Sequence, residues 1–312
     1  MILNPDPSWE KVDSSKLNDF IRCYRFYFYS HLLGWKPDSP NNHLEFGLAW
    51  HLPMEYLLLN DYSQNSIIDA YDLFEASYRM EFSPETDEMF GAKTPANAFV
   101  ALSNYTDEYA DDLDKYLVKY TEIAGSVSIA KNRSLFFRMD SILENNSSGL
   151  VSSLEHKTGS RVWQWGEQWP LSIQVGTYTH VLHCLYPADK IDCVWMNATF
   201  FLSRKKDPIE FLRLPVKKTL NQMAVWFYTV NYLFEQIEIN MEALDKCEED
   251  DSIMTAFPIN PSGCQKWGRI CEYHDFCTAW SNPLKRCQQP PLGFVTRFWD
   301  PTEQEAKHEF KF

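Results

Sequence analysis

Two stretches of alternating polar and apolar residues, 134–143 and 150–157, flank a short turn sequence near the middle of the chain. Alternation with a period of two is typical of a β-strand with one buried face. The residues between them, Asn145–Gly149, read Asn-Asn-Ser-Ser-Gly, which favours a tight reversal. We therefore predict a β-hairpin, and a turn centred on the two serines places Asp140 directly opposite Glu155. Because opposed residues have Cβ atoms about 5 Å apart, these two carboxylates need a cation between them.

The carboxylate pair predicts a metal site. Mg²⁺ and Mn²⁺ prefer oxygen ligands, and such an ion polarises phosphate and lowers the pKa of a bound water. Lys157 lies two residues after Glu155, hence on the same strand face, where it could hold a water or stabilise charge developing on phosphate. The alternative is an exposed strand face with ordinary charges, and a register shift of one residue would separate the three side chains.

The order of the remaining elements indicates an α/β fold. Helices are expected over 15–33, 43–59, 170–185 and 215–244, with a mostly helical region at 67–120 and further strands at 122–130 and 192–203. This order predicts a mixed central sheet flanked by helices, with an N-terminal helical part packed on it.

Three motifs follow one another in the order found in a known nuclease family. They are Asp140, the run Glu155-His156-Lys157-Thr158-Gly159 and the spacing Gln174-x-x-x-Tyr178. Together they resemble the PD-(D/E)XK nuclease superfamily. The resemblance is closest to the RecB-like branch, which includes the AddB nuclease domain, CRISPR-associated exonucleases and many phage-encoded nucleases. It implies a restriction-endonuclease-like fold and metal-dependent hydrolysis of DNA.

The same resemblance implies roles for individual residues. The residues with expected catalytic roles are Asp140, Glu155, Lys157, Gln174 and Tyr178. The two carboxylates would hold Mg²⁺ or Mn²⁺, with a backbone carbonyl near His156 as a further metal ligand. The lysine would be the catalytic lysine. The glutamine and tyrosine are four residues apart and share one helix face, from which they would position substrate or this lysine.

A histidine upstream belongs to the same pattern. The segment Gly47-Leu-Ala-Trp-His51 resembles the Gly-x-x-x-His motif that the family carries on an N-terminal helix. The family's histidine commonly ligates the catalytic metal, so we expect His51 to be a metal ligand. A lone histidine outside this context is more often a core or surface residue. Glu55 follows one turn later, and Glu122, at the start of the first predicted core strand, could also reach the site.

Cysteines form a second group of candidate ligands. The chain has 8 cysteines, and six and five residues separate Cys264, Cys271 and Cys277. With Cys23 they resemble the ligands of the family's iron–sulfur members, in which a [4Fe–4S] cluster joins both ends of the nuclease domain. Those members often have two residues in the first gap and proline after the N-terminal cysteine, where this chain has tyrosine. Zinc is the competing metal, although close cysteine pairs are missing, and Cys287 is the alternative fourth ligand.

Charge and aromatic residues bear on DNA binding. The net charge of −14 excludes a protein coated in positive charge, but it leaves room for a local basic track. The residues expected to contact DNA phosphates are Arg22, Arg25, Arg138 and Lys157. Three tryptophans stand between the Glu-x-Lys strand and the next helix, where they either stack bases or pack the loop onto the core: Trp163, Trp165 and Trp169.

The chain is expected to form one nuclease domain over residues 1–312. It would comprise a helical insertion at about 60–120, a catalytic core at 121–245 and a cysteine-rich region at 246–312. Apolar runs are shorter than the ~20 residues that cross a bilayer, and Met1–Lys11 has no signal-peptide pattern. We therefore expect no membrane partner and a location in the cytoplasm, of a bacterial protein or a phage-encoded one.

The expected function is that of an exonuclease or end-processing nuclease acting on single-stranded DNA or duplex ends. A different class stays open, namely a non-catalytic DNA-end-binding or assembly subunit of a recombination or repair complex, since some relatives lose catalysis. The sequence contains no helicase motif, so a helicase or recombination partner would be another chain.

Overall fold

The computed structural model describes residues 3–204, 206–266, 268–303 and 306–312, and within them the central feature is a six-stranded sheet. Its strands are β1 (Tyr116–Ala130), β2 (Arg133–Asn145), β3 (Val151–Gly159), β4 (Ile191–Phe201), β5 (Ile209–Val216) and β6 (His308–Lys311). The order across the sheet is β6-β1-β2-β3-β4-β5. The pairs β6–β1 and β3–β4 are parallel and the other neighbours are antiparallel. Helices flank this mixed sheet, so the predicted α/β class is confirmed.

The hairpin between β2 and β3 has the predicted register. Ser141 pairs with Leu154, and Glu144 pairs with Val151 next to the turn. Continuing the register by one pair places Asp140 opposite Glu155. The Oδ1 atom of Asn145 accepts hydrogen bonds from the next backbone N–H groups of the turn, at 3.0 and 2.9 Å. The turn chemistry therefore fixes which residues of the two strands face each other.

The helices lie at both ends of the chain and between the strands. The described α-helices are α1 (Ser14–Arg22), α2 (Tyr24–Tyr27), α3 (Asn42–Leu59), α4 (Gln64–Tyr78), α5 (Pro95–Glu108), α6 (Asp112–Lys115), α7 (Ile173–Leu185), α8 (Leu220–Leu244) and α9 (His274–Ala279). The single helix expected over 15–33 is interrupted at Cys23, whose backbone is extended, and α2 continues as a π-helical turn over Phe28–Leu32. Helical periodicity did not reveal this interruption.

Two further boundaries differ from the prediction. Helix α7 begins at Ile173 because the hydroxyl of Ser172 accepts from the N–H of Val175, so Pro170 precedes the helix. The helix expected over 215–244 begins later, at Leu220, with a capping box between Thr219 and Gln222, because Pro215 and Val216 end strand β5. Strand β5 was missed because its residues are mostly half-buried and show no alternation.

Helices α3, α4 and α5 form a second hydrophobic core beside the sheet. Its buried aromatic residues include Phe46, Trp50, Phe74 and Tyr78, and Phe201 at the end of β4 packs into it. The larger core lies between the sheet, the N-terminal helices, α7 and α8. The region expected to be mostly helical therefore does form its own layer, although β1 already begins at Tyr116.

The two ends of the described chain meet in space. The strand Trp35–Pro37 pairs with Phe294–Thr296, and Gly263 lies so close to the N-terminal helices that a Cβ there would stand 2.3 Å from the carbonyl oxygen of Arg22. Glycine is therefore needed at this contact. Within the described residues, no helix combines the length and the apolar character that a membrane crossing requires.

Candidate active site

Adjacent strands bring the predicted carboxylates and lysine together. Asp140 lies near the middle of β2, and Glu155 and Lys157 lie on β3. The Lys157 Nζ atom is 2.6 Å from Glu155 Oε1, and the backbone N–H of His156 donates to Asp140 Oδ2 at 2.6 Å. Glu155 is only 3% exposed. The two carboxylates thus flank one peptide unit of β3, and the lysine closes the group.

Helix α3 adds a histidine to this group. The Nδ1 atom of His51 lies 3.2 Å from Asp140 Oδ1, so the histidine contacts the carboxylate with which it was expected to share a metal. Glu55 lies one turn further along α3 and pairs with Lys307 at 2.8 Å. The structure therefore places His51, and not Glu55, beside Asp140.

Helix α7 contributes the glutamine and tyrosine. Gln174 Nε2 donates to Glu155 Oε1 at 3.0 Å and to the hydroxyl of Tyr178 at 2.8 Å. The Tyr178 hydroxyl in turn donates to the backbone carbonyl of Arg138 on β2. This pair therefore links α7 to both strands that carry the carboxylates.

The pKa values of the two carboxyl groups shift in opposite directions. Burial raises the pKa of Glu155, the neighbouring Asp140 raises it further, and Lys157 only partly opposes this, so that the pKa lies above its usual value. Burial also acts to raise the pKa of Asp140, but His51 outweighs it and holds that pKa well below the usual value. Asp140 is thus the firmly ionised member, and Glu155 is the one that a further positive charge would stabilise.

The two basic groups respond to the same carboxylates. Burial acts to lower the pKa of His51, but Asp140 reverses the effect and the pKa is raised. Burial likewise acts to lower the pKa of Lys157, and Glu155 and Asp140 raise it above the usual value. The lysine therefore stays charged at neutral pH.

Glu122 and Arg138 form the edge of the site. Glu122 has a left-handed backbone (φ 46°), and its carboxylate accepts from Arg138 Nη2 at 2.5 Å and Nε at 3.1 Å. Burial raises the pKa of Glu122, and the charge of Asp140 raises it further. The expectation that this glutamate could reach the site is consistent with its position, although β1 begins before it.

The side chain of His156 does not face the metal candidates. Its Nδ1 atom lies 3.0 Å from Asn197 Nδ2, on the sheet face opposite Glu155 and Lys157. Burial lowers the pKa of its imidazole to about 3, so the ring is neutral. His156 therefore presents only its backbone to the carboxylates, which fits the expected carbonyl ligand. Sequence reasoning missed Asn197 and Arg213 on this face, and no local motif marks them.

Two arginines expected to contact DNA are occupied within the protein. Arg25 is 3% exposed and donates from Nε to the carbonyl of Phe257 at 2.9 Å. Because it lies in the core, the prediction of a DNA contact for Arg25 is wrong in this structure. Arg22 packs over the ring of Phe26 at 4.2 Å and lies 3.8 Å from Glu272, so it serves the contact between the two chain ends.

The three tryptophans of the loop before α7 were expected either to stack on bases or to pack the loop onto the core, and the structure shows different positions for them. Trp165 packs edge-on against Phe200 and Trp169, and Trp169 is buried in the main core. Trp163 is 81% exposed. Two of the three thus hold the loop on the core, and one is available for stacking.

The segments that carry the cysteines expected to hold a cluster lie against each other. The backbone N–H of Cys271 donates to the Cys264 carbonyl at 2.8 Å, and a Cβ at Gly263 would stand 3.3 Å from that of Cys23. Burial raises the pKa of Cys277 to about 12, Arg25 opposes this, and the thiols of Cys23, Cys271 and Cys264 raise it further. The backbone N–H of Asn260 points to the Cys23 sulfur at 3.2 Å. The pKa of Cys287 is also raised to about 12 by burial, which Arg25 opposes and Glu249 reinforces.

The side chains of the catalytic group are hydrogen-bonded to each other. Among the described residues, no three His, Cys, Asp or Glu side chains are already arranged around a point that could hold a metal ion. The catalytic group nevertheless fits a divalent cation chemically, because it offers carboxylates and an imidazole, and because Glu155 Oε2 is buried without a hydrogen-bond partner in the part of the chain that the structure describes.

An aspartate and a Glu-x-Lys run on neighbouring strands of a mixed sheet, with helices on both sides, define the restriction-endonuclease-like class of nucleases. The chain belongs to the PD-(D/E)XK nuclease superfamily, whose sequence model matches residues 14–278. Members of this superfamily usually use Mg²⁺ or Mn²⁺.

A comparison with solved structures found a chain described as a "Putative exonuclease" from Eubacterium rectale. It has 13% sequence identity to this chain and a TM-score of 0.44, and the match covers 73% of this chain and 80% of that one. The comparison with curated proteins found no match.

Proposed function

We propose that this protein is a metal-dependent DNA nuclease of the RecB-like branch that removes or processes DNA ends. The observation that carries the proposal is the contact of Glu155 with Lys157 beside Asp140 and His51. These side chains come from two strands and a distant helix, and ordinary surface charges have no reason to converge in a buried site.

The residues that would hold Mg²⁺ or Mn²⁺ are His51, Asp140 and Glu155, with the backbone carbonyl of His156. When bound, such a cation supplies polarisation of the scissile phosphate and a water of lowered pKa. Lys157 keeps its proton and stabilises negative charge that develops on the phosphate. Gln174 holds Glu155 in place, and the Tyr178 hydroxyl holds Gln174.

DNA would approach the side of the sheet where Lys157 and Arg138 are partly exposed. Their positive charges suit phosphate, and Trp163 in the adjacent loop suits stacking on an unpaired base. A single-stranded segment or a frayed duplex end has both accessible phosphates and unpaired bases. The position of these groups supports end processing. In this proposal Lys157 and Arg138 contact the phosphates, and the buried Arg25 does not.

The test is cleavage of single-stranded and duplex DNA, labelled at the 5′ or the 3′ end, with and without Mg²⁺ or Mn²⁺. We expect cleavage that needs the cation, and Lys157→Ala to lower the rate by about 10²- to 10³-fold without loss of fold. The matched control is Lys217→Ala, since Lys217 is 65% exposed and its Nζ atom pairs with Asp192 at the surface.

Two outcomes would contradict the nuclease proposal. Full activity in Lys157→Ala and Asp140→Ala would show that the site is not catalytic. A wild-type protein that binds DNA ends tightly but never cleaves with either cation would support the non-catalytic subunit instead. The polarity of the labelled products would separate an exonuclease from an endonuclease.

We also propose that Cys23, Cys264, Cys271 and Cys277 hold a [4Fe–4S] cluster. Support comes from the backbone N–H of Cys271, which donates to the Cys264 carbonyl at 2.8 Å, from the contact of Gly263 with Cys23, and from the Asn260 N–H directed at the Cys23 sulfur. Thiolate ligation suits such a cluster, and the contact between the chain ends brings the cysteine-bearing segments together. The same four residues would join both ends of one nuclease domain.

Protein purified without oxygen tests the cluster. We expect visible absorbance, with iron and sulfide in equal amounts, and loss of both in Cys271→Ser but not in Cys184→Ser, where the thiol is exposed on α7. Stoichiometric zinc without iron would overturn the cluster and favour a zinc site.

A further inference from the structure

A row of polar side chains crosses the sheet behind the Glu-x-Lys segment. His156 of β3 is in register with Asn197 of β4, and Asn197 is in register with Arg213 of β5. Residues in register point to the same face of a sheet, so the three side chains lie side by side. His156 and Asn197 are both buried. The row therefore lies under the catalytic strand, on the face opposite Glu155 and Lys157.

The hydrogen bonds in this row have a fixed direction. Arg213 Nε donates to Asn197 Oδ1 at 2.9 Å. Because an arginine side chain can only donate, Asn197 must turn its oxygen toward Arg213 and its Nδ2 toward His156. The 3.0 Å contact from Asn197 Nδ2 to His156 Nδ1 then requires Nδ1 to accept. Arg213 thereby selects, through Asn197, the His156 tautomer that carries its proton on Nε2.

The row is anchored in the helical layer at its other end. Arg213 Nη1 donates to Asp112 Oδ2 of α6 at 2.7 Å, and Nη2 donates to the Tyr105 hydroxyl of α5 at 3.0 Å. The Asn197 Nδ2 atom also donates to this hydroxyl at 2.9 Å, and the guanidinium lies 3.7 Å from the centre of the Tyr109 ring. With so many partners, the guanidinium has little freedom to move.

The other end of the row reaches the candidate active site. The backbone N–H of His156 donates to Asp140 Oδ2 at 2.6 Å. His156 is the residue that connects Glu155 to Lys157 along the strand. The His156 Nε2 atom is buried and has no hydrogen-bond partner among the described residues, so the polar hold on the ring comes through Nδ1. Among the polar contacts of the described residues, the one with Asn197 is therefore the contact that resists a rotation of the ring.

We propose that Asn197 and Arg213 are positioning residues that fix the tautomer and orientation of His156 and so hold the Glu155-His156-Lys157 backbone against Asp140. The effect on metal binding rests on the proposed nuclease function. Residues that hold metal ligands from behind typically contribute about 10- to 100-fold to metal affinity or activity.

Asn197→Asp is the sharpest variant, because it keeps the volume and the acceptor for Arg213 but removes the donor to His156. A carboxylate beside Nδ1 requires Nδ1 to carry a proton, so the tautomer should change. We expect ¹⁵N NMR of the imidazole, assigned by its loss in His156→Gln, to show Nε2–H in the wild type and protonated Nδ1 in the variant. Calorimetry should show Mn²⁺ affinity about 10- to 100-fold lower.

Tyr105→Phe is the matched control. It removes a hydroxyl that accepts from the row, but it leaves the bonds from Arg213 to Asn197 and from Asn197 to His156 in place. We expect a lower melting temperature with the wild-type His156 tautomer and near wild-type Mn²⁺ affinity. Equal losses of affinity in Tyr105→Phe and Asn197→Asp would reduce the row to a structural role and overturn the proposal.

Wild-type protein provides a second test that does not depend on any variant folding. An Nδ1-protonated His156 in the metal-free wild type would refute the proposal. A wild type that shows the Nε2–H tautomer but binds neither Mn²⁺ nor Mg²⁺ would refute the proposed metal-dependent nuclease, while the fixing of His156 by Asn197 would stand.

Discussion

The hydroxyl of Tyr178 occupies a small part of the site, yet it accepts from Gln174 and donates to the carbonyl of Arg138. Its partners lie on α7 and β2, so one oxygen atom connects the helix to a catalytic strand. The spacing of Gln174 and Tyr178 predicted a shared helix face. It did not reveal the Arg138 carbonyl, because that partner is distant in sequence.

Tyr178→Phe should therefore lower the cleavage rate by about 10- to 100-fold, because Gln174 loses the partner that orients it toward Glu155. A buried carbonyl also loses its donor, which should destabilise the fold by about 1–3 kcal/mol. Single-turnover rates and denaturant unfolding measure the two effects. Tyr228→Phe, at an exposed position on α8, is the control; an unchanged rate in Tyr178→Phe would assign the hydroxyl to stability alone.

Lys93 is a buried lysine that no sequence motif indicated. It is 4% exposed, and its ammonium contacts the Thr158 hydroxyl at 2.8 Å and lies 5.4 Å from the centre of the Phe46 ring. Burial lowers its pKa to about 8. Between this pKa and the unfolded value, the unfolded chain binds more protons than the folded one, so this group makes stability rise with pH.

Lys93→Met should accordingly stabilise the protein at neutral pH and remove a rise in stability between about pH 8 and 10.5. The full effect of such a shift is of the order of 3 kcal/mol. Urea unfolding at a series of pH values measures it, with Lys190→Met at an exposed site as the control. A destabilised Lys93→Met at pH 7, with the same slope as wild type, would contradict this account.

At the scale of elements, helix α7 is placed by close contact with α8. A Cβ atom at Gly176 would stand 2.1 Å from the Trp226 ring, and the Trp226 Nε1 atom donates to the carbonyl of Ile173 at 3.1 Å. The backbone of α7 at Gly176 therefore packs directly against the Trp226 ring of α8. This contact sets how near Gln174 comes to Glu155.

Gly176→Ala should push α7 away from α8 and cost about 1–3 kcal/mol, because a close-packed core resists an added methyl group. Cleavage should fall as well, since Gln174 and Tyr178 move with the helix. Thermal unfolding and initial rates test this, with Cys184→Ala on the exposed side of α7 as the control. Wild-type stability in Gly176→Ala would show that Trp226 can move aside.

The hairpin of β2 and β3 was the most predictable element. Its register follows from the turn residues and from alternation, both of which act over a few positions. Strand β5 and the interruption of the first helix at Cys23 were not predicted. The reason is that β5 gains its stability from pairing with β4, and Cys23 lies against the C-terminal segment, which is distant in sequence.

At the scale of the whole molecule, the contact between the two chain ends is the feature that the proposed cluster would secure. Arg25 donates to the carbonyls of Met254 and Phe257, and the Arg22 carbonyl accepts from Asn260. Cross-linking distant segments stabilises the folded state mainly by restricting the unfolded chain.

Cys23→Ala should therefore lower the melting temperature of protein purified without oxygen by several degrees, equivalent to about 1–3 kcal/mol for a domain of this size. Calorimetry under nitrogen measures the shift, and Cys184→Ala is again the control. If both variants have the melting temperature of the wild type, the chain ends are held by packing alone.

Local sequence patterns were enough to predict the α/β class, the hairpin, the pairing of Asp140 with Glu155 and the shared face of Gln174 and Tyr178. All of these depend on period and spacing over short stretches of chain. Three other features emerged from long-range packing: Arg25 is buried, Trp163 alone of the three loop tryptophans is exposed, and Asn197 and Arg213 contact one another and His156 behind the catalytic strand. Burial and the choice of hydrogen-bond partner depend on which distant segments pack together, and no local pattern records that.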